Sequence, residues 1–201
     1  MVSEEPAKRS VSSGLCAYCG RKLSKASVTQ HLKRCPARLE QRPSRRSGRG
    51  KTGAFHVVVE GRFAPQYWMH LEVPTNRTLD DLDTVLRREW LECCGHLSEF
   101  AVGDARYTSM PDENLFGAWS DAAEEHDMSV RVGAVFSPGL QARYSYDFGS
   151  TTELKIRVLA EQPESSSRDI QLMARNDAPE LLCSICGKAA RHVCTECLWE
   201  G

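Results

Sequence analysis

The sequence predicts an α+β protein in which a central mixed or antiparallel sheet packs on one long helix, flanked by two small zinc-binding modules. Three observations predict it. Short and alternating apolar runs fill residues 54–162, the pattern of half-buried strands. One stretch inside them, from Thr78 to Trp90, instead repeats apolar residues at helical spacing. Cysteines gather near both ends in pairs two residues apart, where a short segment cannot bury a core of its own and a metal ion can replace one.

The first element is residues 1–40. CAYCGRKLSKASVTQHLKRC reads Cys-x2-Cys-x11-His-x3-Cys, with Cys16, Cys19, His31 and Cys35 as four ligands of one Zn2+. A two-residue gap turns both thiolates of a tight knuckle toward one ion, and an i, i+4 spacing puts His31 and Cys35 on one helix face. Leu23 and Val28 supply a small apolar cluster, so the stretch reads as a ββα zinc finger with Cys as its last ligand. On such a finger the first helical turns reach bases, here Ser24, Ser27 and Gln30, while Lys25, Lys33 and Arg34 suit phosphates.

Residues 41–53 read as a basic linker whose Arg45, Arg46 and Arg49 suit sequence-independent phosphate contacts. The charge supports this. Residues 1–53 hold thirteen Lys/Arg against three acidic residues, a net of +10. The remainder holds thirteen basic and twenty-four acidic residues, a net of −11, so the overall −1 hides a dipolar chain. Such asymmetry suggests an arm that contacts nucleic acid and an acidic body that contacts protein, or else head and body attracting one another.

Residues 54–162 form the central α+β domain. AFHVVVEG and YWMHLEVP read as a hairpin. Thr78 caps the helix, Asp81 answers it three residues on, and Leu79, Leu82, Val85, Leu86 and Trp90 line one face until Gly95. HLSEFAVG, MSVRVGAVF, LQARYSYDF and ELKIRVLAE read as four further strands, with residues 111–127 a loop or short helical insert. Cys93 and Cys94 read as buried thiols. Asp147 precedes Gly149 at a turn where its carboxylate accepts backbone N–H groups; in the alternative reading, His96, Tyr144, Tyr146 and Asp147 line one pocket of a hydrolase-like enzyme.

Residues 163–180 read as a second linker, and 181–201 as a four-cysteine knuckle. CSICGKAARHVCTEC offers Cys183, Cys186, Cys194 and Cys197 for a second Zn2+. It resembles the first half of a HIT or MYND zinc module, which implies two further ligand pairs; these four cysteines either close one site or belong to a truncated form. With no fourth position left open, either site is structural rather than catalytic.

From Phe55 to Leu159 the chain resembles the plasmid pRiA4b ORF-three-like family. The run His96, Leu97, Phe100 and the motif from Tyr146 to Gly149 carry the likeness. The resemblance implies a fold and an association with plasmids and mobile elements. Family members often continue the second motif with Asp, Trp and His, whereas this chain has Ser150, Thr152 and Leu154, so chemistry resting on that cluster is not expected.

The composition excludes collagen, coiled coil and full disorder, with 41% hydrophobic and 26% charged residues. There is no nucleophile elbow, phosphate loop or metalloprotease helix. No apolar run reaches the roughly 18 residues of a membrane span, and the basic, polar start lacks a signal-peptide core, so a cytoplasmic location without membrane contact is expected. These readings converge on a non-enzymatic zinc-binding interaction protein.

Overall fold

The computed structural model of this chain describes residues 12–41, 52–91, 95–109 and 125–178. Cys93, Cys94, the arginines at 45, 46 and 49, and all four cysteines of the expected C-terminal knuckle lie outside the described residues.

The described residues form one ten-stranded sheet. Its strands are β1 (Ser13–Cys16), β2 (Lys22–Ser24), β3 (Ala54–Gly61), β4 (Trp68–Pro74), β5 (Ser98–Val102), β6 (Ala105–Thr108), β7 (Glu125–Asp127), β8 (Gln141–Tyr146), β9 (Thr152–Gln162) and β10 (Gln171–Asn176). They run in the order β2-β1-β10-β4-β3-β9-β8-β5-β6-β7. Every pair is antiparallel except β6 with β7, so the sheet is mixed as the sequence predicts. The helices are α1 (Lys25–Arg34), α2 (Pro36–Glu40), α3 (Leu79–Trp90) and α4 (Val132–Val135). None is long and apolar enough to cross a membrane.

Helix α3 forms where expected, for the reason expected. Thr78 Oγ1 accepts from the Asp81 N–H at 3.1 Å while Asp81 Oδ2 accepts from the Thr78 N–H at 3.0 Å. This reciprocal capping satisfies two N–H groups that no helical carbonyl can reach. Its buried Leu79, Leu82, Val85 and Leu86 cover one face of the sheet, against Phe55, Val57, Val59, Met69, Leu71, Phe100, Tyr144, Tyr146 and Ile156.

Three departures from the sequence reading matter for function. The first concerns the zinc finger, expected as a flanking module beside a sheet with one helix. In the structure β1 pairs with β10 from Gly14↔Asn176 to Cys16↔Ala174, and the finger hairpin thereby continues the central sheet. Its helices cover the opposite face from α3: Cys16, Leu23, Val28, Leu32 and Cys35 share a core with Trp68, Met173 and Ala174. A finger of this size buries too little by itself, and the apolar back of β4 and β10 completes it.

Secondly, Gln171–Asn176 lie within the stretch read as a linker, yet they form β10, bridging β4 and β1. Its six residues include Gln171, Arg175 and Asn176, which leaves little apolar periodicity to detect. Thirdly, MSVRVGAVF is not a strand. Arg131 makes an isolated bridge to Thr78, and Val132–Val135 then turn as a single helical turn. The N–H groups of Val132 and Gly133 donate to the carbonyls of Arg77 and Thr75, which draws the segment onto the start of α3. Gly133 allows this approach, since a Cβ there would stand 2.8 Å from the Thr75 carbonyl oxygen.

Candidate metal centre

The four finger ligands converge. β1 ends on Cys16, and the knuckle 16–20 closes when the Gly20 N–H donates to the Cys16 carbonyl at 2.9 Å and the Cys16 N–H to the Arg21 carbonyl at 3.0 Å. Gly20 holds φ +68°, a left-handed conformation that glycine adopts without strain. α1 then delivers His31, and Cys35 follows at its end. The ligand atoms of Cys16, Cys19, His31 and Cys35 all lie within 4.8 Å of one another. Cys16 Sγ is 4.0 Å from Cys35 Sγ, and Cys19 Sγ is 3.4 Å from His31 Nε2.

These distances fit one tetrahedral ion. Bonds of about 2.3 Å to sulfur and about 2.0 Å to nitrogen place ligand atoms about 3.5–3.8 Å apart. The protonation chemistry fits as well. Burial pushes the Cys16 thiol up to about 11, and a metal ion would supply the charge that lets it ligate as thiolate. The Arg21 N–H bond lowers Cys19. Burial, then the Arg21 charge, lowers His31 and keeps its ring neutral, as coordination requires. With Cys16 and Cys35 buried and Cys19 exposed, the cluster can hold a metal ion. Four protein ligands would leave no open position on such an ion.

The polar side chains around this centre fall into two groups. Lys25 Nζ lies 2.8 Å from Glu60 Oε1 and donates to the Pro65 carbonyl at 2.6 Å. Lys22 Nζ pairs with Asp177 at 2.8 Å. Arg38 is buried, donating to the Leu32 carbonyl at 2.9 Å and lying 3.3 Å from Glu72 Oε2. These three cations hold the finger to the acidic body. Ser24 and Ser27 bond each other through their hydroxyls at 3.0 Å. Arg21, Ser27, Gln30, Lys33 and Arg34 are exposed, and Arg21, Lys33 and Arg34 form no ion pair among the described residues.

Of the second group of candidates, the structure brings together three and separates one. His96 Nδ1 is 3.8 Å from Asp147 Oδ1, and its ring meets Tyr146 edge-on at 6.0 Å. Asp147 sits at φ 56°. Its carboxylate accepts from the Gly149 N–H at 3.0 Å, the Ser150 N–H at 3.3 Å and the Ser150 hydroxyl at 2.7 Å, and the Ser150 bond above all lowers its pKa. Tyr144 does not join them. It is fully buried, and its hydroxyl donates to Asp83 Oδ1 at 2.6 Å beneath α3. A carboxylate holding three local donors organises a turn, and the Ser150 hydroxyl donates to it rather than to His96.

Sequence reasoning missed the polar cluster under the finger. His56 Nε2 and His70 Nδ1 are 2.8 Å apart, and both residues are buried. Glu72, 1% exposed, accepts Arg38 on Oε2 and the Ser166 N–H and hydroxyl on Oε1 at 2.6 and 2.5 Å. The signal for it existed: His56, His70 and Glu72 alternate with apolar residues on β3 and β4, which marks a second, polar but covered face.

Residues 53–185 match the family described as Plasmid pRiA4b ORF-3-like protein. The chain belongs to this family. The match includes β10, so the strand hidden in the expected linker lies within the family's extent. No curated protein matches the chain. A protein of unknown function from Methanosarcina mazei Go1, MM3350, has a crystal structure similar to this chain at 18% identity and a TM-score of 0.48, covering 62% of this chain and 68% of that one.

Proposed function

We propose that this pRiA4b ORF-3-like chain is a non-enzymatic, zinc-stabilised interaction protein that contacts nucleic acid phosphates through the outer edge of its finger. One observation carries the reading: the finger's cations are sorted. Lys22, Lys25 and Arg38 bind the body, while Arg21, Lys33 and Arg34 stay exposed and unpaired among the described residues. They belong to the same basic segment as the arginines at 45, 46 and 49. A thiolate-rich tetrahedral set selects zinc among abundant divalent ions. The acidic body, and the cysteine-rich residues 181–201 with a second zinc, would face protein.

A fluorescence-anisotropy titration with a labelled duplex tests this reading. Affinity should fall steeply with salt, and Lys33→Glu with Arg34→Glu should weaken all sequences alike, the salt slope dropping by about one per lost contact. Charge reversal at 45, 46 and 49 should act in the same way. Salt-insensitive binding, or binding that ignores these reversals, would refute the proposal. Base-reading by Ser24 and Ser27 is not part of it, because their hydroxyls are engaged with each other and one finger is a weak reader.

A further inference from the structure

Two adjoining cavities open at the C-terminal end of α3, away from the metal ligands. The larger, about 410 Å3, lies between the β3–β4 turn and the start of β9, with Phe63, Tyr67, Trp90, Leu91 and Leu154 among its walls. The smaller, about 100 Å3, shares Trp90, Leu91 and Thr152 with it and ends on Asp147 and Ser150. The larger volume falls in the range of about 300–1,000 Å3 typical of small-molecule sites.

Three features define what this cavity would accept. Phe63 is 79% exposed, a large ring that no core contact explains, with the Arg62 guanidinium carbon 5.3 Å from its centroid. Arg62 also pairs with Glu153 at 3.1 Å, so the rim cation is already neutralised and does not call for an anion. The indole N–H of Trp90 is buried without an acceptor among the described residues, although buried donors are nearly always paired. Aromatic walls, a neutralised rim and an unused donor suit a flat, uncharged ring with acceptor atoms at its edge.

We infer that this cavity binds a heteroaromatic ring of the nucleobase class, stacked against Phe63 and accepting from Trp90 Nε1–H. The finger braces the wall: Lys25 Nζ donates to the Pro65 carbonyl and Ser12 Oγ to the Gln66 carbonyl at 2.7 Å, both on the turn that carries Phe63. The base can come from a free nucleoside or from an unpaired strand.

Calorimetric titration of the full, metal-loaded chain with adenosine, guanosine, cytidine and uridine tests the inference, with ribose as the ringless control. At least one nucleoside should saturate the protein while ribose does not. Phe63→Ala removes an exposed ring without touching the core and should weaken binding about fivefold or more, the usual effect of losing one base–aromatic stack. Trp90→Phe keeps the ring, loses the donor and should also weaken binding, with circular dichroism confirming the fold of both variants. No binding by any nucleoside, or affinity unchanged in either variant, overturns the inference. Displacement of the bound nucleoside by a single-stranded oligothymidylate assigns the site to strand bases, and retention assigns it to free nucleosides. The Lys33→Glu, Arg34→Glu protein should keep its nucleoside affinity, so failure of the phosphate contact and failure of this cavity read out separately.

Discussion

Asp83 shows how one residue can organise a core. It is 5% exposed on the inner face of α3 and accepts from the Tyr144 hydroxyl at 2.6 Å, the Ser98 hydroxyl at 2.7 Å and Arg87 Nε at 2.6 Å. Arg87 in turn lies over the Tyr146 ring at 4.7 Å. Removing the carboxylate strands two hydroxyls and a cation together, so Asp83→Ala should destabilise the protein by about 3–5 kcal/mol in urea unfolding. Tyr144→Phe removes one donor and should cost only about 1–2 kcal/mol. The His56–His70 pair makes a pH prediction. Burial lowers His56 to about 4 and His70 to about 3, the Arg38 charge helping in the first case and His56 in the second. Because the unfolded chain takes up these protons near the ordinary value of about 6.5 and the folded chain does not, stability is full above that pH and falls as pH drops toward 4. A His56→Asn, His70→Asn protein should show a flatter decline in urea midpoints between pH 6.5 and 4, leaving only the part due to acid release of the metal.

At the level of the elements, the finger hairpin and β10 depend on one another. Gly14 faces Asn176 across the β1–β10 pair, and a Cβ there would stand 2.0 Å from the Arg175 carbonyl oxygen. Gly14→Ala must therefore push the strands apart. Hydrogen exchange should quicken in β10 while elemental analysis still finds the finger's metal, because the four ligands are untouched. Chelation should act from the other side. Without an ion, Cys16 and Cys35 lose the bond that joins β1 to the end of α1, and the shared core with Trp68 and Met173 loosens. Proteolysis near residues 17–41 and a red-shifted tryptophan emission would report it; an unchanged emission and cleavage pattern would show that the sheet holds the finger without metal. Cys16→Ala and Cys35→Ala should each lower the metal content by one ion per chain.

Across the whole molecule, the sheet is covered on both sides over β10 and β4, by α3 on one face and by the finger on the other. Charge follows this arrangement. The expected contrast of a basic arm and an acidic body exists in the sequence, but Lys22, Lys25 and Arg38 discharge part of it internally against Asp177, Glu60 and Glu72. Among the described residues of the finger, Arg21, Lys33 and Arg34 are left for a partner. Long-range nucleic-acid attraction should therefore be weaker than the net +10 of residues 1–53 suggests, and Glu60→Gln, which frees Lys25, should raise duplex affinity modestly at low salt and have no effect at high salt. A drop in affinity would mean that the Lys25 contact orients the finger for binding.

Local chemistry was legible and long-range assembly was not. The ligand spacing from Cys16 to Cys35, the Thr78–Asp81 cap and the alternation of β3, β4, β8 and β9 each depend on neighbours within 19 residues, and each forms as read. The turn at Asp147 belongs with them, since its donors are two and three residues away. The fate of Gln171–Asn176, the fold of Val132–Val135 and the placing of Tyr144 depended on partners far along the chain: Gly14 and Met69, Thr75 and Arg77, and Asp83. By itself the sequence determined that a cysteine–histidine knuckle, a capped helix and a set of strands would exist. Only the tertiary structure decided that the knuckle would be built into the sheet rather than hang beside it. The reason is physical: spacing sets which ligands and backbone groups can meet locally, whereas the docking face is made by Trp68 and Met173, whose side chains become a single apolar surface only once β4 and β10 are paired.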